Sequence, residues 1–513
     1  MPEHFKAMVV IMVLATAVFA IAKKPACPDV FTVEDFNRRR HLWFGIILIA
    51  FFAHNYWLYV FLAGTLLLRT QAKEPNKLAL YFSVLLALPT MPTYVPGLGL
   101  VNALFEVTYI RLLALTVLLP AYFFLRRQPG IAPFGQLLAD KFIVGYLILS
   151  PLLALGHLPV TGILRIGLFY PFVDIFLPYY VASRCLRDLR QFREALAAFV
   201  VAALILSAIL VFESQKHWLL YSALETALGV STGGQYLARG ANLRAPGTAG
   251  HAIAAGFVIA VAMGIFLYVA KSIVNPKLRG LVWFVLAAGL LAPVSRGPWI
   301  GAAAMLLVFI ATGRTPVTGF AKLALFGAVA LPFLLLTPMG ATVIDHLPFI
   351  GTVESGNVDA RKQLSQIAFQ AIMENPFFGR FDFIEHPLIQ AFRGNDGLID
   401  LVNTYAVVAL SSGLIGLSMF AGCFIAVASK IYTGMRRLTD RNSERYLLGQ
   451  ALIATLIGIL IIIATVSPLA IIPAIQWSIA GVGIGYAHML ESEKNSALVR
   501  TAISGTVSVK SAS

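Results

Sequence analysis

Residues 184–213 read RCLRDLRQFREALAAFVVAALILSAILVFE, and this stretch decides the fold. Arginines at 184, 187, 190 and 193 crowd one short connection, and the segment 195–212 that follows carries no charge until Glu213 closes it. A run of about 17–25 apolar residues is long enough to cross a bilayer. Bases gathered beside such a run mark its cytoplasmic end. The stretch therefore reads as a membrane helix that enters from the cytoplasm and leaves on the far side at Glu213.

Working outward, comparable runs lie near 5–22, 42–68, 76–90, 106–125, 141–157, 162–182, 250–270, 280–295, 297–312, 322–339, 403–429, 447–466 and 472–490. Composition agrees. Of 513 residues, 59% are hydrophobic and 12% charged, with a mean hydropathy of +0.82. Soluble domains carry roughly twice that share of charge, so three soluble domains of about 150 residues each are excluded. Cys27, Cys185 and Cys423 have neither bridge nor metal spacing, which argues against a disulfide scaffold and a metal centre. The expected fold is all-α, a polytopic integral membrane protein of about 13–15 helices.

The net charge of +15 would suggest nucleic acid in a soluble protein. Here most of it orients the chain, and no nucleic-acid partner is expected. Lys271, Lys277 and Arg279 form a second basic connection, and Arg436, Arg437, Arg441 and Arg445 a third. With all three in the cytoplasm the spans alternate without conflict. Segments 214–249 and 340–402 then lie outside, and the longer holds eight acids against four bases. Lys23, Lys24 and Arg38–Arg40 are cytoplasmic only if 42–68 is a hairpin turning at His54-Asn55. Cleavage after the signal-peptidase-like Ala20-Ile21-Ala22 would put them outside, so the first helix is read as uncleaved. The resulting organisation is an N-terminal bundle (1–213), an outer loop (214–249), a helical segment with a tight turn (250–339), a large outer loop (340–402), C-terminal helices (403–490) and a disordered tail (491–513). The two halves do not mirror each other, unlike an inverted-repeat transporter.

The informative charges sit where topology disfavours them. Arg111, Arg165, Glu106 and Glu213 lie near outer helix ends, and Asp174 lies near mid-membrane. Charges at that depth face a cavity or a partner, for example Arg165 with Asp174, and Arg111 belongs to the same cavity-lining group. Arg244 precedes 250–270, and Arg296 sits in the tight turn Ala292-Pro293-Val294-Ser295-Arg296-Gly297-Pro298-Trp299. Guanidinium binds phosphate oxygens bidentately and stays charged at any accessible pH. Arginines at the outer leaflet therefore suit a phosphate-bearing, membrane-anchored ligand such as a lipid-linked diphosphate.

Three stretches carry a resemblance. They are Arg244-Ala-Pro-Gly-Thr-Ala-Gly-His251, Ser295-Arg296-Gly297, and Asp400-Leu-Val-Asn403-Thr-Tyr405 followed by Ser412-Gly413-Leu414-Ile415-Gly416-Leu417. Asp359-Ala-Arg361 and Glu374-Asn375-Pro376-Phe377-Phe378-Gly379 lie between them. Over roughly 240–420 the chain resembles the O-antigen polymerase and ligase superfamily, especially its exopolysaccharide polymerases. The resemblance implies a GT-C-like glycosyltransferase of the bacterial inner membrane with one large periplasmic loop. It would take glycan from undecaprenyl diphosphate without a metal or other cofactor. Its partners would be the lipid-linked glycan, the bilayer and polysaccharide-assembly proteins such as a chain-length regulator.

By the same resemblance Arg244 and Arg296, and more weakly Arg361, grip the diphosphate. Ligases typically have His-Asn at the end of the long loop, where this chain has Val402-Asn403. The base is then open among Asp400, His386 and His251, with Asn403 beside them. Capping of the following helix is the other reading of Asp400 and Asn403, and packing the other reading of His251. Phe377, Phe378, Phe381, Phe383 and Phe392 are candidates for stacking on sugar rings or for packing the loop. The missing His favours a polymerase over a ligase acting on lipid A core. A flippase of lipid-linked glycan is the third reading, and it would need charges along the whole path across the membrane.

Overall fold

The structure, a computed structural model, describes the chain apart from residues 1, 27–28, 98, 100–101, 233, 235, 240–241, 336–354, 392, 394–398, 400, 470 and 511–513; side chains at 25–26, 330–331, 333–335, 355–361 and 496–510 are likewise outside the description. It is 75% helical. Among the described residues seven helices are long and apolar enough to cross a membrane: Glu3–Lys24, Tyr109–Arg127, Val160–Cys185, Leu189–Lys216, Ala252–Ser272, Thr404–Arg436 and Glu444–Ile463. The architecture is that of an all-α, multi-pass membrane protein.

Two of the other expected spans form short helices. Pro276–Leu291 and Arg296–Ala311 have 16 residues each. At a rise of 1.5 Å per residue each covers about 24 Å, short of the roughly 30 Å hydrocarbon core. Ala252–Val269 is apolar all round and packs against Leu189–Lys216, Pro276–Leu291, Arg296–Ala311 and Glu444–Ile463. A helix without a polar face is buried on every side, and this one forms the centre. Exposed Val13, Phe61, Phe284 and Ile425 face outward on peripheral helices, as a bilayer solvent allows.

The stretch 42–68 is a hairpin. Helix Val33–Phe52 ends at Ala53, His54 takes a left-handed φ of 49°, and Asn55 caps helix Tyr56–Lys73 by accepting from Trp57 and Leu58 N–H. Arg38 Nη2 meets Glu74 Oε2 at 2.9 Å across the open end. Arg39 bonds Glu74 and, at 2.6 Å, Glu194, so residues 38–40 share an end with the connection 184–193. The same basic end holds Arg184–Asp140 at 2.8 Å and Arg193–Glu444 at 2.6 Å.

Two expected elements come out differently. The run 76–90 is not one helix: Lys77–Val84 stops, and Leu85–Met91 continues as buried irregular chain. Its carbonyls find hydroxyls on neighbouring elements. Tyr109 donates to Val84 O at 2.6 Å, Thr248 to Leu86 O at 3.1 Å, Tyr221 to Ala87 O at 3.1 Å and Tyr56 to Met91 O at 3.0 Å. Irregular backbone at membrane depth persists only where protein satisfies it. The last helix, Ile471–Lys510, runs on into the stretch expected as a disordered tail. Its continuation is tied by Glu491 to Lys430 and by Glu493 to Arg445 at 2.8 Å.

Helix Thr404–Arg436 is also broken, at Gly413 (φ 64°, ψ −169°). Pro376 and Phe377 carbonyls accept from Leu414 and Ile415 N–H, and Arg380 N–H donates to Leu410 O. The segment Glu374–Gly379 thus docks into the break of the next helix. Behind it, helix Ser355–Glu374 and the turns to Gln390 build a small core of Ala368, Phe383, Ile389, Leu401 and Leu410.

Candidate functional site

The motif stretches meet at the end of the bundle opposite the paired arginines. Arg193 and Glu213 lie near opposite ends of helix Leu189–Lys216, which fixes the two faces. At the far face Gly256, one turn into the helix capped by His251, lies so close to the Ser295-Pro298 turn that a Cβ would stand 3.1 Å from Pro298 Cβ. Gly297 abuts the Thr465 hydroxyl. Two residues on, Ser467 donates to Leu401 O at 2.7 Å, and Thr404 donates to Val466 O at 2.7 Å. One continuous chain of contacts therefore links residues 244–256, 295–298, 401–405 and 465–467.

Arg296 opens its helix, and Arg244 directly follows a short hairpin, Ala238–Arg239 against Asn242–Leu243. That hairpin supplies a residue the sequence reading missed. Arg239 is buried, and its Nη1 donates to Val294 O at 2.8 Å. Val294 has a φ of 48°, a genuine outlier for a β-branched residue, held only where its surroundings impose it. Arg239 thus clamps the strained residue two before Arg296. Its only sequence signal is a further base in an outer loop, five residues before the recognised motif.

Glu213 supports the same loop. Its carboxylate, 1% exposed, accepts from Leu220 N–H at 2.9 Å and Gly247 N–H at 3.0 Å. Thr248 is fixed to Leu86 O, so both flanks of the Arg244 turn are anchored. Two helix N-termini, at Ala252 and Arg296, also converge here. Their dipoles favour negative charge, with His251 already capping the first.

Arg111, Arg165 and Asp174 form a second constellation, and its pairing differs from the expected one. Asp174 pairs with Arg111, not Arg165: Nη2 to Oδ2 is 2.9 Å, while Nη1 meets Glu106 Oε2 at 2.8 Å. The guanidinium lies 3.6 Å from the Tyr170 ring centroid. Arg165 instead donates to Ala103 O at 2.9 Å. Arg165 and Asp174 lie nine residues apart, which at 3.6 residues per turn puts them on opposite faces of a straight helix; the chain has π-helical turns at Ala114–Leu118, Ile163–Phe169 and Phe172–Phe176, and the partner of Asp174 comes from another helix. Such turns are frequent at functional sites.

Of the candidate bases, His386 is buried and its Nε2 lies 2.9 Å from Glu374 Oε2. With the Nε2 proton given to that carboxylate, Nδ1 is the acceptor nitrogen, and it is buried with no hydrogen-bond partner among the described residues. Asn403 caps its helix, its Oδ1 accepting from Tyr405 and Ala406 N–H. His251 caps another, Nδ1 accepting from Ile253 N–H at 3.2 Å. Asp400 and Phe392 lie outside the described residues, and Arg361 lies in helix Ser355–Glu374 with its side chain outside them. Phe383 belongs to the loop core, Phe381 stacks on His157, and Phe377 and Phe378 are exposed. Nearby, the Arg380 hydrogen bond holds the Asp382 carboxyl below its ordinary range.

No protein-family model matches the chain. No curated protein matches its sequence.

Proposed function

We propose that this protein is a glycosyltransferase of the bacterial inner membrane that polymerises undecaprenyl-diphosphate-linked repeat units at the periplasmic face. The carrying observation is the convergence of Arg239, Arg244 and Arg296 segments with two helix N-termini at one end of the bundle. A lipid diphosphate suits that place: its tail dissolves in the bilayer while its charge meets the arginines. Charge grows on the leaving diphosphate as the glycosidic bond breaks, so fixed guanidinium groups stabilise the transition state more than the ground state.

The incoming sugar hydroxyl must lose a proton as the new bond forms. We assign that role to His386, oriented by Glu374, with Asn403 capping the helix that follows the loop. The Nδ1 lone pair supports this role, which also requires that the acceptor hydroxyl come within hydrogen-bond reach of the imidazole. The exposed Phe377 and Phe378 offer rings to the glycan on the same loop.

The direct test is binding of undecaprenyl diphosphate to the purified full chain. Loss of a charge-assisted bidentate contact costs about 1.5–3 kcal/mol, so Arg244→Ala and Arg296→Ala should each weaken binding roughly 10- to 100-fold. Unchanged binding in both variants contradicts the proposal.

A further inference from the structure

At the other end of the molecule an apolar groove of about 90 Å³ runs between helices Glu3–Ala26, Leu189–Lys216, Ala252–Val269 and Pro276–Leu291. Its walls include Val18, Phe31, Val201, Leu204, Phe266 and Leu281, and Ser272 is the lone hydroxyl among its lining residues. An apolar groove left empty within a bilayer would forfeit the dispersion contacts of its walls. What surrounds a membrane helix is hydrocarbon, so a hydrocarbon chain is the natural occupant.

The mouth narrows the choice. Ala22, Ser272 and Leu278 line the groove, and their chain neighbours Lys23, Lys271 and Lys277, with Lys24, are all exposed. None of these four lysines makes an ion pair among the described residues. At the same end Arg38, Arg39 and Arg193 are by contrast spent on carboxylates. Unspent ammonium groups at the rim of an apolar slot match a molecule with an acyl chain and an anionic head. Basic residues at a membrane surface attract anionic lipid by about 1 kcal/mol each.

We propose that this groove is a binding site for an anionic phospholipid, one acyl chain between the first helix and Pro276–Leu291 and its phosphate on Lys271, Lys277, Lys23 and Lys24. The site is separate from the arginine face and does not depend on the chemistry assigned there. The N-terminal helix packs directly on Leu189–Lys216, and bound lipid would add a contact between it and Pro276–Leu291.

The test is native mass spectrometry of the full chain after exchange into detergent with phosphatidylglycerol or phosphatidylcholine of matched chains. Wild type should retain phosphatidylglycerol preferentially. The double variant Lys271→Gln/Lys277→Gln, on exposed residues that do not threaten folding, should lose that preference roughly 25-fold, about fivefold per charge. Val201→Phe, which narrows the slot, should reduce retention of both lipids alike. Equal retention of phosphatidylglycerol by wild type and the double-lysine variant overturns the proposal, as does full lipid retention by folded Val201→Phe.

Discussion

A carboxylate near the end of a membrane helix is costly unless its oxygens are engaged, and Glu213 engages both on backbone N–H groups. It is visible in the sequence only as a charge at the edge of an apolar run; nothing there says that it reaches Gly247, thirty-four residues on. Truncation would leave two buried donors unsatisfied at about 1–3 kcal/mol each. Glu213→Ala is therefore expected to destabilise the protein by roughly 2–5 kcal/mol, measured by thermal unfolding in detergent, and to weaken diphosphate binding without touching an arginine. Arg111 teaches the converse. Its unusual position was legible, yet its partner was not, because Asp174 lies on another helix and only folding brings the two together.

Among elements, the hairpin at His54-Asn55 was legible because charge placement demanded a turn and Asn is a ready helix cap. The breaks at Leu85 and Gly413 were not. Both interrupt apolar runs, and only tertiary partners reveal them: tyrosine and threonine hydroxyls at the first, Pro376 and Phe377 carbonyls at the second. Gly413 occupies a backbone region that is essentially restricted to glycine, and a Cβ there would collide with the Phe377 carbonyl. Gly413→Ala should cost about 3 kcal/mol or more. The expected readout is undocking of the loop, seen as faster limited proteolysis between Glu374 and Arg393, with the remaining helices intact. Wild-type protection in that variant would show that the break does not hold the loop.

For the whole molecule, apolar runs and basic connections sufficed to read an all-α membrane protein with two chemically distinct ends. Helix count was less legible, since short helices such as Pro276–Leu291 and irregular segments such as Leu85–Met91 share one hydropathy signal with full spans. The arginine face was half legible: Arg244 and Arg296 stood out, whereas Arg239 and Glu213 emerged only when folding brought 213, 239, 247 and 294 together. The proposal divides labour between the ends: Arg38, Arg39, Arg184 and Arg193 hold the fold by ion pairs at one, and Arg244 and Arg296 would meet a diphosphate at the other. Its most direct measurement is the lipid-linked glycan pool of a deletion strain carrying either wild type or Arg244→Ala/Arg296→Ala. The account predicts single repeat units on undecaprenyl diphosphate, with no polymer, in the deletion and in the arginine variant expressed at wild-type levels. Normal polymer in either strain would contradict it.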